Sequence, residues 1–170
     1  MKTLYVLRHA KAQPTSKAIS DDHERPLADK GVAMCPLIAE YMKAQKAIAT
    51  KAICSTSVRT MQTLELTLEA LGKTILTDFL PKLYLASPDD ILTEVGDVDN
   101  KDSSLLIVGH NPGLHQLCTM LAKEGDKKKL KSLNDHFPPG TLAVLESKAS
   151  SWDNIGRQPA TLVDIFYPEV

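Results

Sequence analysis

Arg8 and His9 close an apolar run, Leu4-Tyr5-Val6-Leu7. A strand that ends in this pair presents an imidazole beside a fixed guanidinium, the combination that phosphoryl transfer uses. A second apolar run, Leu105-Leu106-Ile107-Val108, ends in Gly109-His110-Asn111-Pro112-Gly113. Between them, Cys54-Ser55-Thr56-Ser57-Val58-Arg59-Thr60-Met61-Gln62-Thr63 reads as a strand end followed by a helix that carries Arg59. His9 is the candidate nucleophile. A neutral imidazole attacks phosphorus directly, and the phosphohistidine that forms is then hydrolysed by water. An ordinary histidine titrates near ~6.5, and the cations Arg8 and Arg59 would disfavour its charged form. The second ring nitrogen needs an acceptor to fix the tautomer, and a backbone carbonyl is expected in that role. Arg8 and Arg59 can each donate a fork of hydrogen bonds to phosphoryl oxygens. His110 is expected as a third donor, protonated while phosphate is bound. Asn111 and the helix start at Pro112-Gly113 offer N–H groups to an anion.

Each group alone has a blander reading. An arginine at a helix start is usually a surface charge, and a histidine at a strand end is usually a satisfied structural group. Four such residues at three strand ends favour the catalytic reading. Metal binding by His9 and His110 is the rival chemistry. Two neighbouring arginines would repel a divalent cation, and neither motif places a carboxylate, so no metal and no organic cofactor is expected. His115 is expected to pack or face solvent, and His23 and His136 fall in loop-like segments without an assigned role.

These groups need strands to carry them. Strand-like runs occur at 3–7, 52–55, 74–77, 104–108, 141–146 and 161–166, with helical patterns between most of them. Met34, Leu37, Ile38, Tyr41 and Met42 share one helical face, which Pro36 should kink or shift. Met61, Leu64, Leu68 and Leu71 form a second stripe stopped by Gly72. Leu114, Leu117, Cys118 and Leu121 form a third, with Gly125 as its expected end. Alternating strands and helices predict an α/β fold, a largely parallel sheet covered on both faces in three layers. Ligands in such sheets bind beyond the C-terminal strand ends, where the Arg and His residues fall.

A chain of 170 residues with 43% hydrophobic and 24% charged residues suits one globular domain, 1–170. A formal net charge of -1 gives no bulk reason to expect nucleic acid or an anionic membrane as partner. The odd count of three cysteines, Cys35, Cys54 and Cys118, argues against a disulfide framework. Cys54 and Cys118 read as buried fillers. No segment reaches the ~20 apolar residues of a membrane helix. The opening apolar stretch is cut by Arg8 too early for a signal peptide, so a reducing cytoplasm is expected. Lys127-Lys128-Lys129 with Lys131 reads as a solvated helix face.

The blocks Arg8-His9, Ser55 to Thr63 around Arg59, and Gly109-His110, in this order, resemble the histidine phosphatase (phosphoglycerate mutase-like) superfamily. Arg8-His9-Ala10-Lys11-Ala12, Asp22-His23-Glu24-Arg25-Pro26-Leu27 leading to Gly31, and Leu83-Tyr84 before Ser87-Pro88-Asp89 are similar to its short bacterial branch, the phosphohistidine phosphatases of the SixA type. The resemblance covers nearly the whole chain and implies a phosphoglycerate mutase-like sandwich. Larger relatives carry helical caps in the segments that here run only from Asp78 to Ser103 and from Gly125 to Gly140. A minimal cap and an open site are therefore expected, with a phosphorylated protein as the substrate and an oxyanion in the site.

Phosphomonoesterases of the superfamily usually carry a carboxylate after the third strand. Here that region reads Leu83-Tyr84-Leu85-Ala86-Ser87, with none. Asp89 and Asp90 follow, but Ser87-Pro88-Asp89-Asp90 reads as an N-cap, a first-turn proline and dipole-favoured acids. Asp22 or Glu24 could reach in from a loop, although Asp22 could equally pair with Arg25. A missing general acid suits P–N cleavage, because the leaving imidazole of phosphohistidine can carry its own proton. The alternatives are a small-molecule phosphomonoesterase and a phosphohistidine-binding module with low turnover.

Overall fold

The computed structural model describes residues 1–170. Its strands are β1 (Lys2–Arg8), β2 (Lys51–Ser55), β3 (Leu76–Leu80), β4 (Ser104–Gly109), β5 (Ala122–Gly125), β6 (Leu142–Ser147) and β7 (Ala160–Phe166). They form one sheet in the order β3-β2-β4-β1-β6-β7-β5. Only β6 runs against its neighbours, and every other pairing is parallel. The helices are α1 (Asp29–Ala44), α2 (Val58–Leu71), α3 (Pro88–Gly96), α4 (Gly113–Leu121) and α5 (Lys127–Asp135).

The central strands are continuous apolar runs because both of their faces are covered. Leu4, Val6, Leu105 and Ile107 pack with Ile91 and Val95 of α3 and Leu114 and Leu117 of α4. Tyr5, Leu7, Leu106 and Val108, one residue out of step, pack on the other face with Met34, Ile38 and Met42 of α1 and Leu64 of α2. These two cores make the expected three-layer α/β/α sandwich. Each fully buried leucine contributes about 1.5–3 kcal/mol by leaving water.

Several boundaries differ from the sequence expectation. The third strand lies at Leu76–Leu80 rather than 74–77. It is a largely exposed edge strand, so burial does not mark its ends. Helix α4 stops at Leu121, not at Gly125, and Ala122–Gly125 pairs with β7. Only Ala122 of that short strand is buried, which leaves no apolar pattern to read. Pro36 lies well inside α1, whose start at Asp29 it does not set. Trp152, fully buried, anchors an unforeseen 3-10 turn by donating from Nε1 to Asp102 O at 2.9 Å.

Strand register brings the chemistry together. Arg8 of β1 is paired with Gly109 of β4, and the His9 N–H donates to Gly109 O at 3.1 Å. The residues that follow, His9 and His110, therefore emerge side by side at one edge of the sheet. Strand β2 lies on the other flank of β4 and delivers Ser55 and the start of α2 to the same edge.

Candidate active site

His9 leaves the sheet immediately after β1 and is almost fully buried. Its Nδ1 lies 2.7 Å from Ala10 O. A carbonyl only accepts, so Nδ1 carries the proton and Nε2 presents a lone pair. The expected backbone acceptor is thus Ala10 O. Ala10 is held in turn by Thr63, whose Oγ1 accepts from Ala10 N at 3.0 Å and donates to Arg59 O at 2.7 Å. This single hydroxyl ties the loop that carries His9 to α2. Close packing of α1 completes the support: a Cβ on Gly31 would meet Lys11 O at 2.0 Å, so only glycine fits there.

Arg59 occupies the first turn of α2, which starts where the Ser57 side chain accepts from Thr60 N at 3.3 Å. The guanidinium is buried. Its two terminal nitrogens donate to Asp22 O at 2.6 Å and to Asp22 Oδ2 at 3.0 Å, and the second also reaches His110 Nδ1 at 3.3 Å. An arginine only donates, so His110 Nδ1 accepts, and Nε2 carries its hydrogen toward Ser55 Oγ at 2.8 Å. The rings of His9 and His110 lie 5.5 Å apart. Arg8 and Asn111 share one anchor, Phe137 O, to which they donate at 2.9 and 2.8 Å.

The cleft these groups surround has a volume of about 340 Å³. Arg8, His9, Arg59, His110 and Asn111 all line it, joined by Lys11, Ala12, Asp22, Arg25, Leu85 and Pro139. Among the candidate acids only Asp22 reaches it. Glu24 turns to His23 at 3.2 Å. Asp89 and Asp90 sit in the first turn of α3, where Ser87 accepts from Asp90 N at 3.2 Å as an N-cap. Asp22 pairs with Arg25 at 2.8 Å, as the simpler reading expected, but also with Arg59, and it accepts from the Tyr84 hydroxyl. His115 and His136 stack on Phe137 and Tyr167, and His23 bonds Thr56. None of these three lines the cleft.

Positive charge dominates: Arg8, Lys11, Arg25 and Arg59 face one carboxylate, Asp22. Burial, reinforced by Arg59, Arg8 and Arg25, pulls His9 down to about 4, although its bond to Ala10 O works the other way. Burial, His9 and Arg59 pull His110 down to about 3. The neutral form of His110 is therefore favoured, with its one N–H directed at Ser55 Oγ. Hydrogen bonds from Tyr84 and Arg25, with the Arg59 charge, hold Asp22 far below the usual carboxylate range. No group of three or more His, Cys, Asp or Glu side chains is placed to hold a metal ion.

Thr63 is a site residue that side-chain chemistry did not announce. Its signal was positional, one helical turn beyond Arg59. Lys11 and Tyr84 lay in the motifs quoted above but had no assigned role, and Arg25 was read only as a partner for Asp22. The Phe137 carbonyl left no signal, because every residue has one.

The family model of the histidine phosphatase superfamily (branch 1) matches residues 4–81. The uncharacterized protein Rv1276c of Mycobacterium tuberculosis is 32% identical over 165 residues, covering 95% of this chain and 99% of the relative. The chain belongs to the histidine phosphatase superfamily and is a phosphatase, hence a hydrolase. Within that class it is of the SixA type. A structure assigned as the phosphohistidine phosphatase SixA of Nakamurella multipartitia is 28% identical, with a TM-score of 0.86 over 99% of this chain and 97% of that one. One assigned likewise from Agrobacterium tumefaciens is 25% identical, with a TM-score of 0.80 over 98% of both chains. No helix is long and apolar enough to cross a membrane.

Proposed function

We propose that this chain removes the phosphoryl group from phosphohistidine on another protein, with His9 as the nucleophile. The observation that carries the reading is the His9–Ala10 O bond at 2.7 Å, which leaves Nε2 as the lone-pair nitrogen among the cleft cations. Nε2 attacks phosphorus, the P–N bond of the substrate breaks, and that electron pair leaves on an imidazole already protonated at its other nitrogen. Water then attacks the phosphoryl group on His9, releasing phosphate and restoring the lone pair. Arg8, Arg59, His110 and Asn111 bind the phosphoryl oxygens. The charge that develops there is stabilised as these donors turn from Asp22, Ser55 and the Phe137 carbonyl to the phosphoryl oxygens.

The preference for P–N bonds rests on Asp22. It is the one carboxylate of the cleft, and its hydrogen-bond donors keep it ionised, so it has no proton to give an alkoxide. The reading is of one catalytic unit spanning residues 1–170 that works without metal or organic cofactor. Three buried free thiols suit a reducing cytoplasm. Rapid quenching with a radiolabelled phosphohistidine peptide should leave acid-labile, base-stable label on His9 and none in His9→Ala. Label on another residue would overturn the assignment.

A further inference from the structure

We propose that Asp22 is a resident anion of the phosphoryl subsite, competing with substrate and with product phosphate for Arg59. The inference rests on the reading above, that the cleft binds phosphoryl groups. Both terminal nitrogens of Arg59 are already engaged: one donates to Asp22 O at 2.6 Å, the other to Asp22 Oδ2 at 3.0 Å and His110 Nδ1 at 3.3 Å. Arg59 is 2% exposed, and of its five N–H donors three are taken by Asp22 and His110 while Nε has no partner. A phosphoryl group that takes the two terminal nitrogens displaces Asp22 from them.

The carboxylate is held like a ligand. Oδ1 accepts from Arg25 at 2.8 Å, and Oδ2 accepts from Arg59 and from the Tyr84 hydroxyl. Tyr84 also lies with its ring 5.9 Å from the Arg59 guanidinium. The segment that carries Asp22 is built to give way. It is a three-residue 3-10 turn outside the sheet, with no buried residue, and the Asp22 side chain is 41% exposed. Apart from its bonds to Arg59 it is held to α2 and its approach by side-chain contacts, His23 to Thr56 at 3.0 Å and Leu27 N to Gln62 Oε1 at 2.8 Å, neither of which involves a core side chain. Exchange therefore leaves both cores intact. A buried guanidinium without a counter-ion is unfavourable. Asp22 supplies the counter-ion in the empty site, and a phosphoryl dianion supplies it with more oxygens when bound. The same competition speeds phosphate release, because the departing product is replaced from within the chain.

The test is calorimetric titration of the full chain with inorganic phosphate, with product inhibition measured in parallel. Asp22→Asn removes the rival charge but keeps the side-chain volume, and phosphate should bind about tenfold tighter, within the usual range of coupling between two ligands of one site. Product inhibition should deepen by the same factor, and Asp22→Glu should stay near wild type. Tyr84→Phe removes one donor from the carboxylate without touching the turn, so it should tighten phosphate binding in the same direction. It also serves if Asp22→Asn folds poorly. Phosphate affinity unchanged or weaker in both Asp22→Asn and Tyr84→Phe would overturn the proposal. Arg59→Ala separates the two readings: wild-type phosphate affinity in that variant would overturn the phosphoryl-site reading itself.

Discussion

Replacing Thr63 by valine removes one hydroxyl at almost constant volume, in a side chain with no exposure. Two hydrogen bonds go with it, from Ala10 N at 3.0 Å and to Arg59 O at 2.7 Å. A methyl group cannot accept, so the buried Ala10 N–H is left unpaired, at about 1–3 kcal/mol. In a chain of this length each kcal/mol moves the melting temperature by about 2–4 °C. A loss of roughly 2–12 °C is therefore expected. The catalytic effect should exceed the stability effect. Ala10 O holds the His9 tautomer, and a shift of ~1 Å in a reacting group can cost about a hundredfold in rate. The hydroxyl is not part of the cleft wall, so kcat should fall while KM changes little. Thr63→Ser keeps the oxygen and should recover both properties. Thermal unfolding and steady-state rates on a phosphohistidine peptide decide the matter. If Thr63→Val melts with wild type and keeps full kcat, the hydroxyl bridge positions nothing.

Arg59→Ala should lower kcat/KM by roughly two to three decades, the scale of one lost transition-state donor. Arg59→Lys should rescue little, because an ammonium does not reproduce the fork, and full rescue would reduce the residue to a point charge. The acid limb of kcat/KM in the free enzyme should fall near pH 4, where His9 takes its proton, rather than near ~6.5. The same depression affects stability. Between about pH 6.5 and 4 the unfolded chain binds more protons at this histidine. Its neutral form thus contributes fully above that window and progressively less as pH falls through it, which urea midpoints against pH should show. Burial pushes the Cys54 thiol up to about 12, and Cys35 and Cys118 are raised as well. Alkylation by iodoacetamide should therefore track global unfolding for all three, and fast labelling of the native chain would contradict their burial.

The sandwich was legible because its core strands are apolar on both faces, so Thr3–Leu7 and Ser104–Val108 stood out without alternation. The site was legible for the same reason: Arg8-His9 and Gly109-His110 interrupt those runs, and polar residues directly after a buried strand need an explanation. The edges were less legible. β3 and β5 bury little, and the antiparallel direction of β6 depends on its partners rather than on its own residues. Asp22 was readable as an acid in a loop, but not as the ion partner of Arg59, because 37 residues separate the two and only the fold closes that distance. The tautomers of His9 and His110 follow from Ala10 O, Ser55 and Arg59, which sequence patterns do not rank.

The central claim is that the cleft cleaves P–N bonds without a general acid of its own. Its most direct test is kcat/KM for a phosphohistidine peptide against an unactivated sugar phosphate, measured in wild type and in Asp22→Asn, Glu24→Gln, Asp89→Asn and Asp90→Asn. Phosphohistidine should be preferred by orders of magnitude, aryl phosphates should fall between the two, and no carboxylate should be essential for P–N cleavage. Equal turnover of the sugar phosphate, lost when one of these carboxylates is neutralised, would contradict the account and make the enzyme a small-molecule phosphomonoesterase.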